Sequence, residues 1–386
     1  LRYTRTITPS LILEANASFS RRTNNQGWPI TGRDWAGEVG FTGGLKNPVA
    51  LGLPQMEVSG YVILGHAYDL PKIWSYNNYQ YSGNVTWIRG RHTVKAGGDF
   101  LRYQYFSRGF GDTRGRMTFL GRFTQEPFAD FLMGYAQTSR RQLDAAGPYH
   151  LVSNYSAFVQ DDFKVTNTLT LNVGIRYDLM LPPREKFGAW SSFVPGLGKI
   201  AIAGRGIIPD FDARINATGV AQNVIMASAA GLPETLVRPD RNDFAPRFGF
   251  AWRPKGGTRF VLRGGYGIFY GTSSLYRLDE NSDTYPFSIN ETYSATSTNP
   301  LLLTVSNAFP EAKRRVGGVT STTGQDVNQR SQYLQSWSLT AEREIGNGSV
   351  LEMAFAGSKG TNLPRRFDLN QPDRQLALRL ADGTFP

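Results

Sequence analysis

The sequence predicts an all-β fold, and three observations carry that prediction. Apolar residues recur at every second position through several segments of the 386-residue chain, the period of a strand with one apolar and one polar face. Short turns alternate with very long connections. No window approaches 18 consecutive apolar residues, which excludes a membrane-spanning helix. It leaves a membrane barrel open, because barrel strands alternate and their average hydropathy stays unremarkable. Together these features define an antiparallel transmembrane β-barrel. Composition agrees: apolar residues are 40%, charged residues only 19%, and there are 42 Gly and 21 Pro. The absence of cysteine excludes disulfide scaffolds, thiolate zinc sites and cysteine nucleophiles. His66, His92 and His150 lie too far apart in sequence to suggest a metal cluster. The net charge of +11 suits an anionic partner such as a phosphate-rich membrane surface.

The elements follow in order. After a turn at Pro9-Ser10, Leu11, Leu13, Ala15, Ala17 and Phe19 alternate with Glu14, Asn16, Ser18 and Ser20. Tyr79, Tyr81, Val85 and Trp87 share a parity ahead of the turn Arg89-Gly90-Arg91-His92. A strand over about 149–163 feeds the clearest run, where Leu169, Leu171, Val173, Ile175, Tyr177, Leu179 and Leu181 alternate with Thr170, Asn172, Gly174, Arg176 and Asp178. Phe244, Phe248, Phe250 and Trp252 share a parity before the turn at Pro254-Lys255-Gly256-Gly257-Thr258. Phe260, Leu262, Tyr266, Ile268 and Tyr270 share one after it. The last hairpin pivots on Gly346-Asn347-Gly348, a type I′ signature, between Trp337, Leu339, Ala341 and Leu351, Met353, Phe355.

Five turns imply about ten strands, and residues 54–66 and 116–143 have room for more, giving 10–12. Strands of about 11–14 residues exceed the globular mean of five or six and suit a tilted bilayer crossing of about 9–11. The segments 23–75, 107–148, 182–243 and 273–332 read as long loops. A barrel expects short turns on the periplasmic side and long loops outside; a soluble sandwich or propeller has no reason for that asymmetry.

The strand motifs also resemble a known family. YSAFVQDDFKVTNTLTLNVGIRYD (Tyr155 to Asp178) is similar to a hairpin of TonB-dependent outer-membrane receptors. FAPRFGFAWRP (Phe244 to Pro254) and VLRGGYGIFY (Val261 to Tyr270) resemble the Oar-like branch, whose members carry a carboxypeptidase-regulatory-like domain and abound in Acidobacteria. FADFLMG (Phe128 to Gly134) and LEMAFAGSKGTNL (Leu351 to Leu363) fit the same branch. The resemblance covers about residues 75–370. It implies a barrel of about 22 strands, of which residues 1–386 are a partial barrel domain, with the plug, the TonB-contacting segment and the N-terminal domain outside this sequence. It further implies bacterial outer-membrane localisation and energy from the TonB complex.

If the apolar parity meets lipid, the other parity lines the lumen. That assigns Arg176, Asp178, Arg247, Arg253, Arg259, Arg263, Glu342, Glu344 and Glu352 to the inside, where they either contact plug and solute or neutralise one another. Arg343 has the lipid parity but lies near a turn, where its head can reach the interface. In the loops, Tyr276, Tyr285 and Tyr293 are the candidate ligand contacts, able to stack on a sugar or chelate. Asp279, Glu280 and Asp283 concentrate carboxylates but lack the spacing and the glycine of an EF-hand loop. The sequons at Asn16, Asn84 and Asn154 fall inside strands, where glycan attachment is not expected.

No enzyme signature emerges. Gly265-Tyr266-Gly267 lies within a strand, so it is no dinucleotide loop, and neither a G-x-S-x-G elbow nor H-E-x-x-H occurs. Asp161 and Asp162 are strand neighbours on opposite faces. A serine–histidine site of the membrane phospholipase kind has only His92 or His150 to draw on. The resemblance implies an active importer of a bulky, scarce solute such as a carbohydrate, peptide or metal chelate, and neither enzyme activity nor a cofactor is expected. The rivals are a structural or adhesion barrel that binds proteins through its loops, and a passive porin. Expected partners are outer-membrane lipid, lipopolysaccharide and the TonB complex; cationic charge alone gives no reason to invoke nucleic acid.

Overall fold

The computed structural model describes residues 1–27, 32–41, 51–65, 67, 70–109, 112–143, 147–208, 210–254, 259–271, 281–295, 303–310, 315–316, 322–346 and 348–369. In chain order the strands are β1 (Arg2–Thr8), β2 (Leu11–Gln26), β3 (Gln55–Val58), β4 (Lys72–Arg89), β5 (His92–Gly109), β6 (Arg116–Phe119), β7 (Thr138–Leu143), β8 (Tyr149–Lys164), β9 (Leu169–Met180) and β10 (Arg184–Glu185). They continue with β11 (Ser191–Val194), β12 (Lys199–Ile202), β13 (Val224–Met226), β14 (Phe244–Trp252), β15 (Phe260–Gly271), β16 (Ile289–Ser294), β17 (Arg315–Val316), β18 (Gln332–Gly346) and β19 (Ser349–Thr361). Short helices accompany them among the described residues, α1 (Trp35–Glu38), α2 (Pro127–Leu132) and α3 (Phe211–Ala217).

One large antiparallel sheet runs β1-β2-β4-β5-β8-β9-β14-β15-β18-β19, with β10 added beside β8. This is the up-and-down wall that period-two patterning demands, and its five hairpins are the five turns expected from sequence. Five of its strands are longer than expected: β4 and β5 have 18 residues, β2 and β8 have 16, and β18 has 15. Their loop ends therefore extend past the length a bilayer crossing needs.

The register places whole rows of side chains on one face. Leu11, Trp87, Val94, Asp161, Val173, Phe248, Tyr266 and Trp337 stand opposite one another in turn across the wall. The adjacent row, Ile12, Thr86, Lys95, Gln160, Gly174, Arg247, Gly267 and Ser336, projects to the other side. The first face keeps large apolar groups in the open, among them Val85, Tyr155, Ile175, Leu339, Met353 and Phe355. A folded chain tolerates so broad an apolar face only against an apolar medium.

Close backbone approach fixes one glycine in this wall. A Cβ at Gly97 would lie 2.4 Å from the Gly83 carbonyl oxygen and 2.7 Å from Asn84 Cβ, so the β4–β5 backbone itself would have to move. Gly97→Ala is expected to cost about 1–3 kcal/mol, measured by urea unfolding of the refolded barrel.

The four long connections, expected as solvated loops, condense into folded structure. Strands of the three later segments and of the first build a five-stranded sheet, β17-β16-β7-β6-β3, and a three-stranded sheet, β11-β12-β13. The extra strands anticipated in 54–66 and 116–143 exist, but in this cap and not in the wall. Phe41, Val58, Met117, Phe119, Tyr293, Leu303 and Phe309 form one core drawn from three of the four segments. Ala189, Ile202, Phe211, Ile215 and Phe287 form another that joins the third segment to the fourth. The FADFLMG motif becomes α2: Pro127 opens the helix, Phe131 meets Phe119 edge-on at 5.4 Å, and the buried Asp130 carboxylate accepts from the Thr124 and Phe123 amides at 2.8 and 3.2 Å.

Candidate ligand-facing surface: the inner wall and the cap

The polar face of the wall holds the residues that sequence parity assigned to the lumen. At its centre the Arg176 guanidinium pairs with Asp178 on its own strand (2.8 Å) and with Asp99 two strands away (3.1 Å). It also donates to Ser156 Oγ on the intervening strand (2.6 Å). Arg2 and Lys95 converge on Glu14 at 2.8 and 3.5 Å. On the far side of the wall Arg263 pairs with Glu342 (2.8 Å), and Glu352 stands opposite Glu342 in register. Arg247 lies over the Phe269 ring, 4.7 Å from its centroid. Arg253 reaches the Asn167 carbonyl oxygen at the turn end (2.8 Å), and Glu344 sits at the last rungs before the β18–β19 turn.

Sequence parity thus grouped these residues, but it did not find Asp99, Glu14 or Ser156 as partners. Asp99 meets Arg176 only because β8 threads between β5 and β9. The alternation of β5, with Asp99 between outward Gly98 and Phe100, was the available signal.

Tyr285 and Tyr293 correct an expectation. They are 5% and 1% exposed, and they serve as core of the cap, not as a ligand-contacting surface. The Tyr285 hydroxyl meets Thr218 Oγ1 at 2.9 Å and burial pushes it above the usual tyrosine range; the Tyr293 hydroxyl donates to Glu291 (3.1 Å). The reason is that four long segments together supply enough apolar surface to build cores that no single loop can. Tyr276, Asp279 and Glu280 lie outside the described residues. Asp283 accepts from Gln142 Nε2 (3.2 Å) inside the cap. Among the described residues no group of three potential ligands is placed to hold a metal ion.

The cap closes on the inner face. Trp190, Ala201, Ala227 and Leu236 share a core with Val152, and Tyr103 packs against it, both of the latter being inner-face residues of β8 and β5. His150 is fully buried there between Tyr105 and Trp190, with ring centroids 5.8 and 5.0 Å away. His92 lies at the opposite end, on the apolar face, with Nδ1 2.6 Å from Asp161 and its ring stacked on Phe163 at 4.2 Å. Asp162 turns the other way and accepts from Asn172 (2.6 Å).

At the rim, Asp240 latches the segments before β14 and β18. Burial raises this carboxyl, but the Ser331 and Asn242 amides and Arg330 more than offset it and leave it below the usual aspartate range. A lowered pKa stabilises above the unfolded value, about 3.9, and that contribution is lost as pH falls through the folded one. Acidification across that window is expected to raise hydrogen exchange at the Ser331 amide, and Asp240→Asn is expected to flatten the dependence.

A ten-strand antiparallel wall with an open apolar face, a charged inner face and a folded cap at its loop end is the architecture of an outer-membrane β-barrel. The chain belongs to the outer membrane beta barrel domain family, whose model matches residues 1–384, and its place is the bacterial outer membrane. No curated protein matches it. Among solved structures it is similar to the outer membrane transporter YddB from Escherichia coli, at 11% identity and a TM-score of 0.49, covering 91% of this chain and 32% of that one. It is also similar to the FrpB iron transporter from Neisseria meningitidis (13% identity, TM-score 0.37, 93% and 43% covered). The siderophore receptor PirA from Pseudomonas aeruginosa gives 9% identity and a TM-score of 0.34, with 92% and 44% covered. The chain spans about a third to a half of the length of these structures.

Proposed function

We propose that residues 1–386 are the barrel portion of a TonB-dependent outer-membrane receptor of the Oar-like branch, importing a bulky, scarce solute. The observation that carries this reading is the charged inner face, whose Arg176, Arg263 and Glu14 networks run beneath a cap folded over the same face. Such a wall gives a solute or a plug hydrogen-bonding and ionic contacts along its path. The strand motifs named above support the family branch, which implies a barrel of about 22 strands closed by segments outside this sequence. Arg176, Asp178, Arg247, Arg253, Arg263, Glu342, Glu344 and Glu352 remain the proposed lumen-lining set.

A second reading rests on the cap. Tyr61, Val62, Leu132 and Met133 stand exposed on it, and Tyr61 stacks on Phe128 at 5.1 Å, a surface suited to adhesion between proteins. Uptake of labelled solutes by cells carrying the full-length gene, with and without the energising inner-membrane complex, separates the readings. Energy-dependent uptake supports the receptor; uptake without energy indicates a porin; surface protein binding without uptake indicates adhesion. The full-length product is expected to extract with outer membranes and to be heat-modifiable on gels.

A further inference from the structure

The register sorts the wall's charges by face, and the faces differ. Within the ten wall strands the inner face carries eight Lys or Arg against seven Asp or Glu, near balance. The outer face carries seven cations and one carboxylate, Asp161, already paired with His92. Three of the cations, Arg5, Arg89 and Arg343, lie toward the turn end; Arg21, Arg102, Arg108 and Lys359 lie toward the loop end, where no carboxylate shares their face. Arg21 and Arg102, outer-face cations that face no carboxylate of the wall strands, ask for an anion from the surroundings.

The spacing says at what depth. Trp87 and Asn77 are ten residues apart on β4, about 34 Å of strand, which a tilt of about 40° reduces to about 26 Å, close to the roughly 25 Å apolar band of such barrels. With Trp87 at the near interface, Arg21, opposite Asn77, and Arg102, opposite Tyr79, reach the far headgroup layer. Phe19 and Tyr79, with ring centroids 4.9 Å apart, form an aromatic shelf beside them. Gln104 stands opposite Asn77. Arg102 Nε is buried against the wall, so the terminal nitrogens of its guanidinium are the donors that can face the headgroup layer.

We propose that Arg21 and Arg102, flanked by the Asn77 and Gln104 amides, hold the phosphate of an outer-leaflet glycolipid whose acyl chains lie along the aromatic shelf. Guanidinium groups bind phosphate oxygens in pairs; Asn77 Nδ2 donates to Gln104 Oε1 (3.5 Å), which also accepts from the Tyr149 hydroxyl (3.1 Å), so the amides offer only their remaining N–H donors to the phosphate. The site rests on the loop end facing outward and not on whether the barrel transports. Retained glycolipid preference without uptake sinks the receptor reading alone, and uptake without preference sinks this one alone.

The test places the full-length protein in phosphatidylcholine nanodiscs and titrates bisphosphorylated lipid A against its dephosphorylated form, counting bound lipid by native mass spectrometry. Wild type is expected to prefer the phosphorylated form about tenfold or more. Arg21→Ala with Arg102→Ala removes the preference, Lys at both positions keeps most of it, and Arg89→Ala at the turn end leaves it unchanged. If the double alanine variant fails to fold on a heat-modifiability gel, Gln at both positions makes the same comparison. Equal binding of both forms by wild type, an unchanged preference in the double variant, or equal preference for phosphatidylglycerol overturns the proposal.

Discussion

Arginine at Leu339 is expected to cost about 2–4 kcal/mol of barrel stability, whereas arginine one position earlier, at Ser338, costs little. The two residues share a strand and differ by one pleat. Leu339 lies on the apolar face in register with Gly264 and Phe355, and Ser338 lies on the polar face between Gly265 and Ala356. Both are exposed in the wall, so exposure cannot separate them; only the medium on each side can. At Leu339 the guanidinium must displace acyl chains or bend to an interface. At Ser338 it meets water and has open space over the small neighbours. Urea titrations of the refolded full-length protein in lipid vesicles read both costs. Equal costs would mean that the apolar face is covered by protein, and the membrane reading would fall with it.

The wall was legible because a strand writes its two faces into alternate residues. β9, with six apolar residues on one parity, and the β18–β19 hairpin at Gly346 needed no tertiary information. Parity also grouped Arg176, Asp178, Arg263 and Glu342 on one side before any partner was known. The cap was not legible, for a physical reason. Its strands have two to six residues, too few to show a period. Its cores join residues far apart in the chain: Phe41 meets Phe309 at 5.8 Å. Tyr285 and Tyr293 looked like binding groups because their segment is rich in hydroxyls and amides. Their burial is settled by partners such as Thr218 and by strands that belong to other segments. Asp99 was missed on the same grounds, since its ion pair spans 77 positions.

Arg176 is the other position where a large effect is expected. Its guanidinium stands between Asp99 and Asp178, and Ser156, which it also contacts, donates to Asp99 (3.2 Å). These side chains are partly exposed, at 27%, 30% and 16% for Arg176, Asp99 and Asp178, so solvent screens the pair energies. Truncation is nevertheless costly, because Arg176→Ala leaves two carboxylates facing one another across Ser156 with no cation between them. The expected loss is about 2 kcal/mol, between the values for exposed and buried pairs. Restoring neutrality separates charge from packing: Arg176→Ala combined with Asp99→Asn and Asp178→Asn is expected to recover most of it. A triple variant as unstable as Arg176→Ala would show that the guanidinium acts through packing and hydrogen bonding. The same series reads function. If the ion pairs only hold the wall, Arg176→Lys, which keeps the charge but loses the forked donors, leaves uptake unchanged. If Arg176 contacts the solute, uptake falls in Arg176→Lys while heat-modifiability and urea midpoint stay near wild type.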